Sequence, residues 1–164
     1  MNGTSQADMA ARTAADFSGS YTYTDGSTIN VTTSVQFVPY DQALADAGLQ
    51  NTLSVAPAGT RAQVDRIGGS EMRINEFSTS GVAPHEFGHI LGAQDQYTDV
   101  PSPGGGFTSQ TNPGWSGNIM GDSAATYAPS SVPGSVDQRN FNEIFGVAPN
   151  QETCTTTGDA GRCQ

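Results

Sequence analysis

His85-Glu86-Phe87-Gly88-His89-Ile90-Leu91-Gly92-Ala93-Gln94-Asp95 is the stretch from which the rest of this chain can be read. It holds both histidines of the protein, four residues apart. Residues so spaced on a helix share a face, with Cβ atoms about 5–6 Å apart. Two imidazoles in that relation can share one Zn²⁺ at about 2.0–2.1 Å each. Glu86, beside the first imidazole, is placed to take a proton from a water held by the metal. The spacing predicts a helix over about 82–91, with Ser80 as its cap and Pro84 in the first turn, where proline is tolerated. Gly92 is a natural stop, because glycine accepts the left-handed conformation at a helix end. The chain can then turn and bring Asp95 back to the metal. No glutamate occurs between Glu86 and Glu143, and there is no third histidine. Asp95 is therefore the best third protein ligand and Asp99 a weaker substitute, leaving a fourth position open for water.

Around this stretch the chain is acidic and loop-rich. Its 164 residues suffice for one domain with a real core. Hydrophobic content is only 35% and glycine numbers 20, which points to short elements, long loops and a modest core. A net charge of −10 disfavours nucleic acid and anionic membrane, both of which want a basic face. The same charge is also what an ordinary solvated surface needs. The six basic residues are all arginines. A GC-rich genome or avoidance of lysine-directed modification in a translocated protein would each produce that. No apolar run approaches the roughly 18 residues of a membrane span, and no leader with a charged and then an apolar region opens the chain. Action outside a cytoplasm would then imply a piece cut from a longer precursor. Cys154 and Cys163 have only each other as partners, so a disulfide in an oxidising compartment is expected over two free thiols on a frayed tail. One catalytic domain is expected over 1–150, with a polar tail over 151–164.

Working along the chain, Gln6 to Phe17 reads as a helix, and Ser18 to Pro39 as a hairpin turning at Asp25-Gly26. Asp41 caps a short helix that stops at Gly48. Thr60 to Ile67 and Glu71 to Phe77 read as strands around Gly68-Gly69, the second weakly alternating in the manner of an edge strand. Residues 101–118 read as a long loop bordering the site. Asp137 caps a last helix through Phe145.

The His85–Asp95 pattern resembles the longer motif of the metzincin zinc endopeptidases, with Asp95 where those have a third histidine. Aspartate there resembles the snapalysin family of small secreted bacterial proteases. Tyr97 matches a tyrosine that lies near the zinc in such enzymes. Asn118-Ile119-Met120-Gly121 resembles the methionine turn beneath the metal, and Asp137-Gln138-Arg139-Asn140-Phe141 the final helix. The resemblance spans roughly residues 80–145. It implies an α/β (α+β) fold: a small twisted mixed sheet, an active-site helix, the methionine turn and a C-terminal helix. A signal-less, lysine-free domain with a Tyr/Thr-rich hairpin also resembles the C-terminal toxin domains of bacterial polymorphic toxins, including Rhs-type effectors. The two resemblances imply secretion or delivery into a target cell, a monomer acting on protein or peptide, and, for an effector, an inhibitor or immunity protein as partner.

The activity so implied is peptide hydrolysis on one zinc ion held by His85, His89 and Asp95. Glu86 is the general base, and Tyr97 a hydrogen-bond donor to the developing oxyanion. Tyr127 is the other candidate donor. Either tyrosine could equally be packing with a wet hydroxyl. Met120 supports the site by packing. The Met72–Phe77 strand could pair with an extended substrate, or be merely a solvated edge. The rival readings are a catalytically idle metal-binding interaction domain and a structural module with a fortuitous motif. Retention of Glu86 argues against the first, and one tightly bound zinc would sink the second.

Overall fold

The computed structural model describes residues 5–23, 25–78, 81–121 and 135–146. They form four helices and seven short strands in three small sheets, a mixed α+β arrangement. Helix α1 (Gln6–Asp16) opens with a reciprocal cap: the Ser5 hydroxyl accepts from the Asp8 amide at 3.1 Å, and the Asp8 carboxylate accepts from the Ser5 amide at 3.3 Å. Strands β1 (Gly19–Thr22) and β2 (Thr28–Val31) make the expected antiparallel hairpin, with Tyr21 opposite Ile29. Gly26 sits at φ 85°, and the Asp25 carboxylate accepts from the Ser27 amide in the turn. The hairpin is shorter than expected, since residues 32–40 form no strand. Helix α2 (Gln42–Asp46) is capped by Asp41, as the sequence indicated, and buries none of its residues.

The central sheet contradicts one expectation. Strands β3 (Thr52–Ala56), β4 (Gln63–Val64) and β5 (Glu71–Asn75) are ordered β3-β5-β4. Strand β5 is therefore the middle strand and not an edge, parallel to β3 and antiparallel to β4. Its weak alternation has a physical reason: strands on both sides take up its backbone, and half-buried Arg73 and Asn75 flank buried Ile74, so neither face is fully exposed. Strand addition onto β5 is thereby closed off over the residues that β3 and β4 cover, and β4 is the edge beside it. Strand β3 was not expected, its only local signal being the short alternation of Leu53 and Val55 with Thr52 and Ser54. Its partner lies across a long connection, and such pairing is decided by tertiary packing.

Helix α3 (Val82–Leu91) lies against α1, β4 and β5. Its N-cap is Gly81, with no side-chain cap bond, and the Ser80 cap falls outside the described residues. Residues 101–118 also differ from expectation. Strands β6 (Tyr97–Pro101) and β7 (Phe107–Thr111) form an antiparallel hairpin there. Its tip, Gly104-Gly105-Gly106, holds Gly105 and Gly106 at positive φ, which is what the glycines are for. Helix α4 (Gln138–Ile144) starts at Asp137, whose side chain caps it reciprocally with Asn140.

Two apolar clusters bracket α3. Met9, Ala62, Ile74, Val82 and Ala83, with Phe37 and Leu53 against them, fill the space between α1, the central sheet and α3. Ala93, Ile119 and Met120, with Val136 and Ile144, form a second cluster between α3 and α4. Cys154, Cys163 and the tail over 151–164 lie outside the described residues.

Candidate metal centre

Helix α3 is buried on Val82, Ala83, Pro84, His85, Glu86, Gly88 and His89, so polar groups are carried where packing alone would place apolar ones. Burial of this kind is costly unless the groups have partners. His85 finds one in the Ile119 carbonyl, 2.8 Å from Nδ1, and His89 in the Ala93 carbonyl at 2.9 Å. A carbonyl oxygen only accepts, so each Nδ1 carries the proton and each neutral ring turns a bare Nε2 lone pair the other way.

Gly92 ends the helix at φ 110°. The Ala93 amide donates to Gly88 O at 2.9 Å and the Gly92 amide to His89 O at 3.0 Å, a Schellman turn. The Gly68 amide, from the turn between β4 and β5, also donates to His89 O at 2.8 Å. This turn returns the chain. Asp95 Oδ1 comes 3.2 Å from His85 Nε2 and 3.3 Å from His89 Nε2. Yet Oδ1 is buried and has no hydrogen-bond partner, because the ring protons are on the far nitrogens.

Three lone-pair atoms thus converge with no hydrogen between them, all within 4.8 Å of one another. The arrangement is repulsive unless a cation occupies it. Two donors each about 2.0–2.1 Å from one ion at a tetrahedral angle lie about 3.3–3.4 Å apart, close to the spacings here. The residues present therefore fit a divalent cation. In the metal-free protein a proton can take that place at low pH. Burial would raise the Asp95 carboxyl, but the two facing imidazoles hold it well below the usual carboxylate range. Burial would likewise lower His89, and the Asp95 carboxylate more than offsets it, so His89 keeps its proton to higher pH than a free imidazole.

Glu86 is 2% exposed, and its Oε2 has no hydrogen-bond partner. Burial pushes its carboxyl above the ordinary value, and the attraction of His85, His89 and Arg61 does not cancel that. A carboxylate whose pKa is raised towards the working pH is a stronger proton acceptor in its ionised form.

Tyr97, the first residue of β6, stacks on His85 with ring centroids 6.2 Å apart. Its hydroxyl accepts from Arg61 Nη2 at 2.9 Å, and Arg61 Nη1 reaches Asp99 at 2.6 Å. Asp99, the substitute ligand considered from the sequence, is thus turned to Arg61 and Ser109 and takes no part in the donor cluster. Tyr127 lies outside the described residues.

Met120 is fully buried beneath α3. A Cβ placed on Gly88 would come 2.6 Å from Met120 Sδ, 3.3 Å from Cε and 3.4 Å from Phe17 Cζ. Gly88 is therefore the glycine that lets the methionine sit directly under the helix. The Met120 segment is itself held by a buried amide pair: Asn118 Nδ2 donates to Asn140 Oδ1 at 2.6 Å, and Asn118 Oδ1 accepts from the Met120 amide at 2.9 Å. Helix α4 thereby fixes the turn whose Ile119 carbonyl orients His85.

Sequence reasoning missed Gly88, Arg61 and Asn118 in these supporting roles. Only Gly88 carried a signal, a glycine in the middle of a predicted helix. The orienting carbonyls of Ile119 and Ala93 are backbone groups and leave no trace in side-chain identity. Comparison with protein-family models, with curated proteins and with solved structures finds no match.

Proposed function

We propose that this chain is a zinc-dependent endopeptidase of the metzincin kind, nearest in its motif to snapalysins, with Glu86 as general base. The observation that carries the reading is the pairing of three convergent metal donors with a buried carboxylate oxygen that has no structural partner. Among the described residues the donor group has three members, whereas a structural zinc site takes four protein ligands. The low placement of Met120 under α3 and the final helix behind it accord with the same family pattern.

When bound, a zinc ion would supply Lewis acidity towards a water and towards the scissile carbonyl. The chain's own residues do the rest. His85, His89 and Asp95 hold the ion. Glu86 accepts the water's proton and returns it to the leaving amine. Tyr97, set beside His85 and tethered by Arg61, donates to the oxygen on which charge develops. The idle metal-binding domain remains the competing reading, and Glu86 distinguishes them, since mere metal retention has no use for a buried carboxylate whose Oε2 lacks a hydrogen-bond partner.

The test is metal content and casein cleavage by the purified chain, before and after chelation and again after zinc is restored. One equivalent of zinc with cleavage that follows it in both directions is expected. Full metal occupancy without cleavage of casein or of a mixed peptide library would leave the idle domain standing, and no metal uptake would sink both.

A further inference from the structure

Asp95 is the odd ligand of the three. Each histidine is oriented by its own hydrogen bond to a carbonyl, but the ligating oxygen of Asp95 has none. Its direction must come from the backbone on either side. One side chain bonds to both of those neighbours. Glu143, on α4, accepts from the Gln94 amide through Oε2 at 3.2 Å and from Gln96 Nε2 through Oε1 at 2.8 Å. One carboxylate therefore straddles the aspartate, gripping the residue before it and the residue after it. The Gln96 backbone completes the hold, donating to Met120 O at 2.8 Å and accepting from the Asn112 amide at 2.9 Å.

We propose that Glu143 is the positioning residue for the third metal ligand, and that its two-pronged bond sets how tightly the centre holds its ion. The inference rests on the metal-centre reading above. Without Glu143 the segment 94–96 would keep, among the described residues, the Gln96 backbone bonds alone, and the Gln94 amide would lose its acceptor. Asp95 would then have to be ordered by the metal itself, at the expense of affinity. Partners of this kind behind a ligand commonly alter metal affinity by about 10–100-fold when removed.

The experiment is competition for Zn²⁺ against a chromophoric chelator, with the melting temperature of each metal-free protein recorded alongside. Glu143→Ala should bind zinc about 10–100-fold more weakly, while its metal-free melting temperature stays near that of the wild type. Glu143→Gln should bind nearly as the wild type does: its amide oxygen can accept from Gln94, and Gln96 can turn its own amide to accept from the new NH₂. Gln138→Ala, on the same helix but bonded to Thr22, should leave affinity unchanged. Gln96→Ala removes one prong from the other side and should show a smaller loss, which keeps the test alive if Glu143→Ala does not fold. Wild-type affinity in Glu143→Ala overturns the proposal. So does a Glu143→Gln variant as weak as the alanine, because charge and not positioning would then be at work. A wild type that takes up no zinc defeats the metal-centre reading itself, a different result from either.

Discussion

Replacing Glu86 by glutamine keeps the shape of the side chain and removes its basicity, and the structure predicts that activity and stability will part company. In a general base the loss is about 10²–10⁴ in rate, or about 2.7–5.4 kcal/mol at 1.36 kcal/mol per decade. The stability effect has a different sign. Burial raises the folded-state pKa of Glu86, so the folded protein binds that proton more tightly than the unfolded chain does. Ionised Glu86 therefore works against the metal-free fold at pH values above its folded pKa. Glutamine removes that charge but leaves an amide where a carboxylate oxygen already lacked a partner. The net change should be zero or favourable, within about 1 kcal/mol, which for a domain of this size is a shift of about 2–4 °C. The assay is kcat/KM on a quenched fluorescent peptide, with zinc content and the metal-free melting curve measured on the same preparation. Full zinc, an unchanged or slightly raised melting temperature and activity down at least about a hundredfold is the expected combination. A variant that still cuts at a tenth of the wild-type rate, or one that melts far lower in step with its lost activity, refutes the assignment of Glu86 as base.

Gly88→Ala should lower stability. Its new Cβ meets Met120 Sδ at 2.6 Å, and overpacking of that kind costs about 1–3 kcal/mol, against about 1 kcal/mol gained in helix propensity; calorimetry that finds a rise would mean Met120 moves aside freely. The zinc-induced rise in melting temperature should grow with pH. His89 holds its proton above the ordinary imidazole value in the metal-free protein, so the His–Asp pairing stabilises that form at low pH and fades as pH rises through the raised His89 value, while zinc needs the proton gone. At a zinc concentration of about 100 Kd the stabilisation is about 2.7 kcal/mol, and an increment unchanged between pH 5.5 and pH 8 would contradict the shared-proton account. Tyr97→Phe should lower kcat by about 10²–10³ with KM little changed if its hydroxyl serves the oxyanion; a change under about twofold on steady-state kinetics would make Tyr97 a supporting residue, stacked on His85 and bonded to Arg61.

Much of the site was legible because its signals are local. The four-residue spacing of His85 and His89 is a property of one helix, and Gly92 stops that helix at φ 110° as a left-handed C-cap should. The caps at Asp41 and Asp137 formed for the same reason, a side-chain oxygen within reach of amides two or three residues on. The turn at Asp25-Gly26 needed no more than its own residues. Errors arose where the deciding contact lies far along the chain. Strand β5 looked like an edge because its alternation is weak, yet β3 and β4 pair with it on both sides. The β6–β7 hairpin hid within a glycine-rich stretch because its ladder joins Tyr97 to Thr111 across the loop.

By itself the sequence determined the helix that carries His85, Glu86 and His89, the glycine that ends it, and the short list of acids able to complete the donor set. Tertiary structure alone chose among them. Asp95 meets the imidazoles because the turn after Gly92 and the bonds from Glu143 aim it there, whereas Asp99 is drawn off by Arg61 and Ser109. It also decided which nitrogen of each ring faces the centre, through the carbonyls of Ile119 and Ala93. Periodicity and capping act over a few residues and are written in side-chain identity. Ligand direction depends on backbone groups and long-range partners whose positions exist only once the chain has folded.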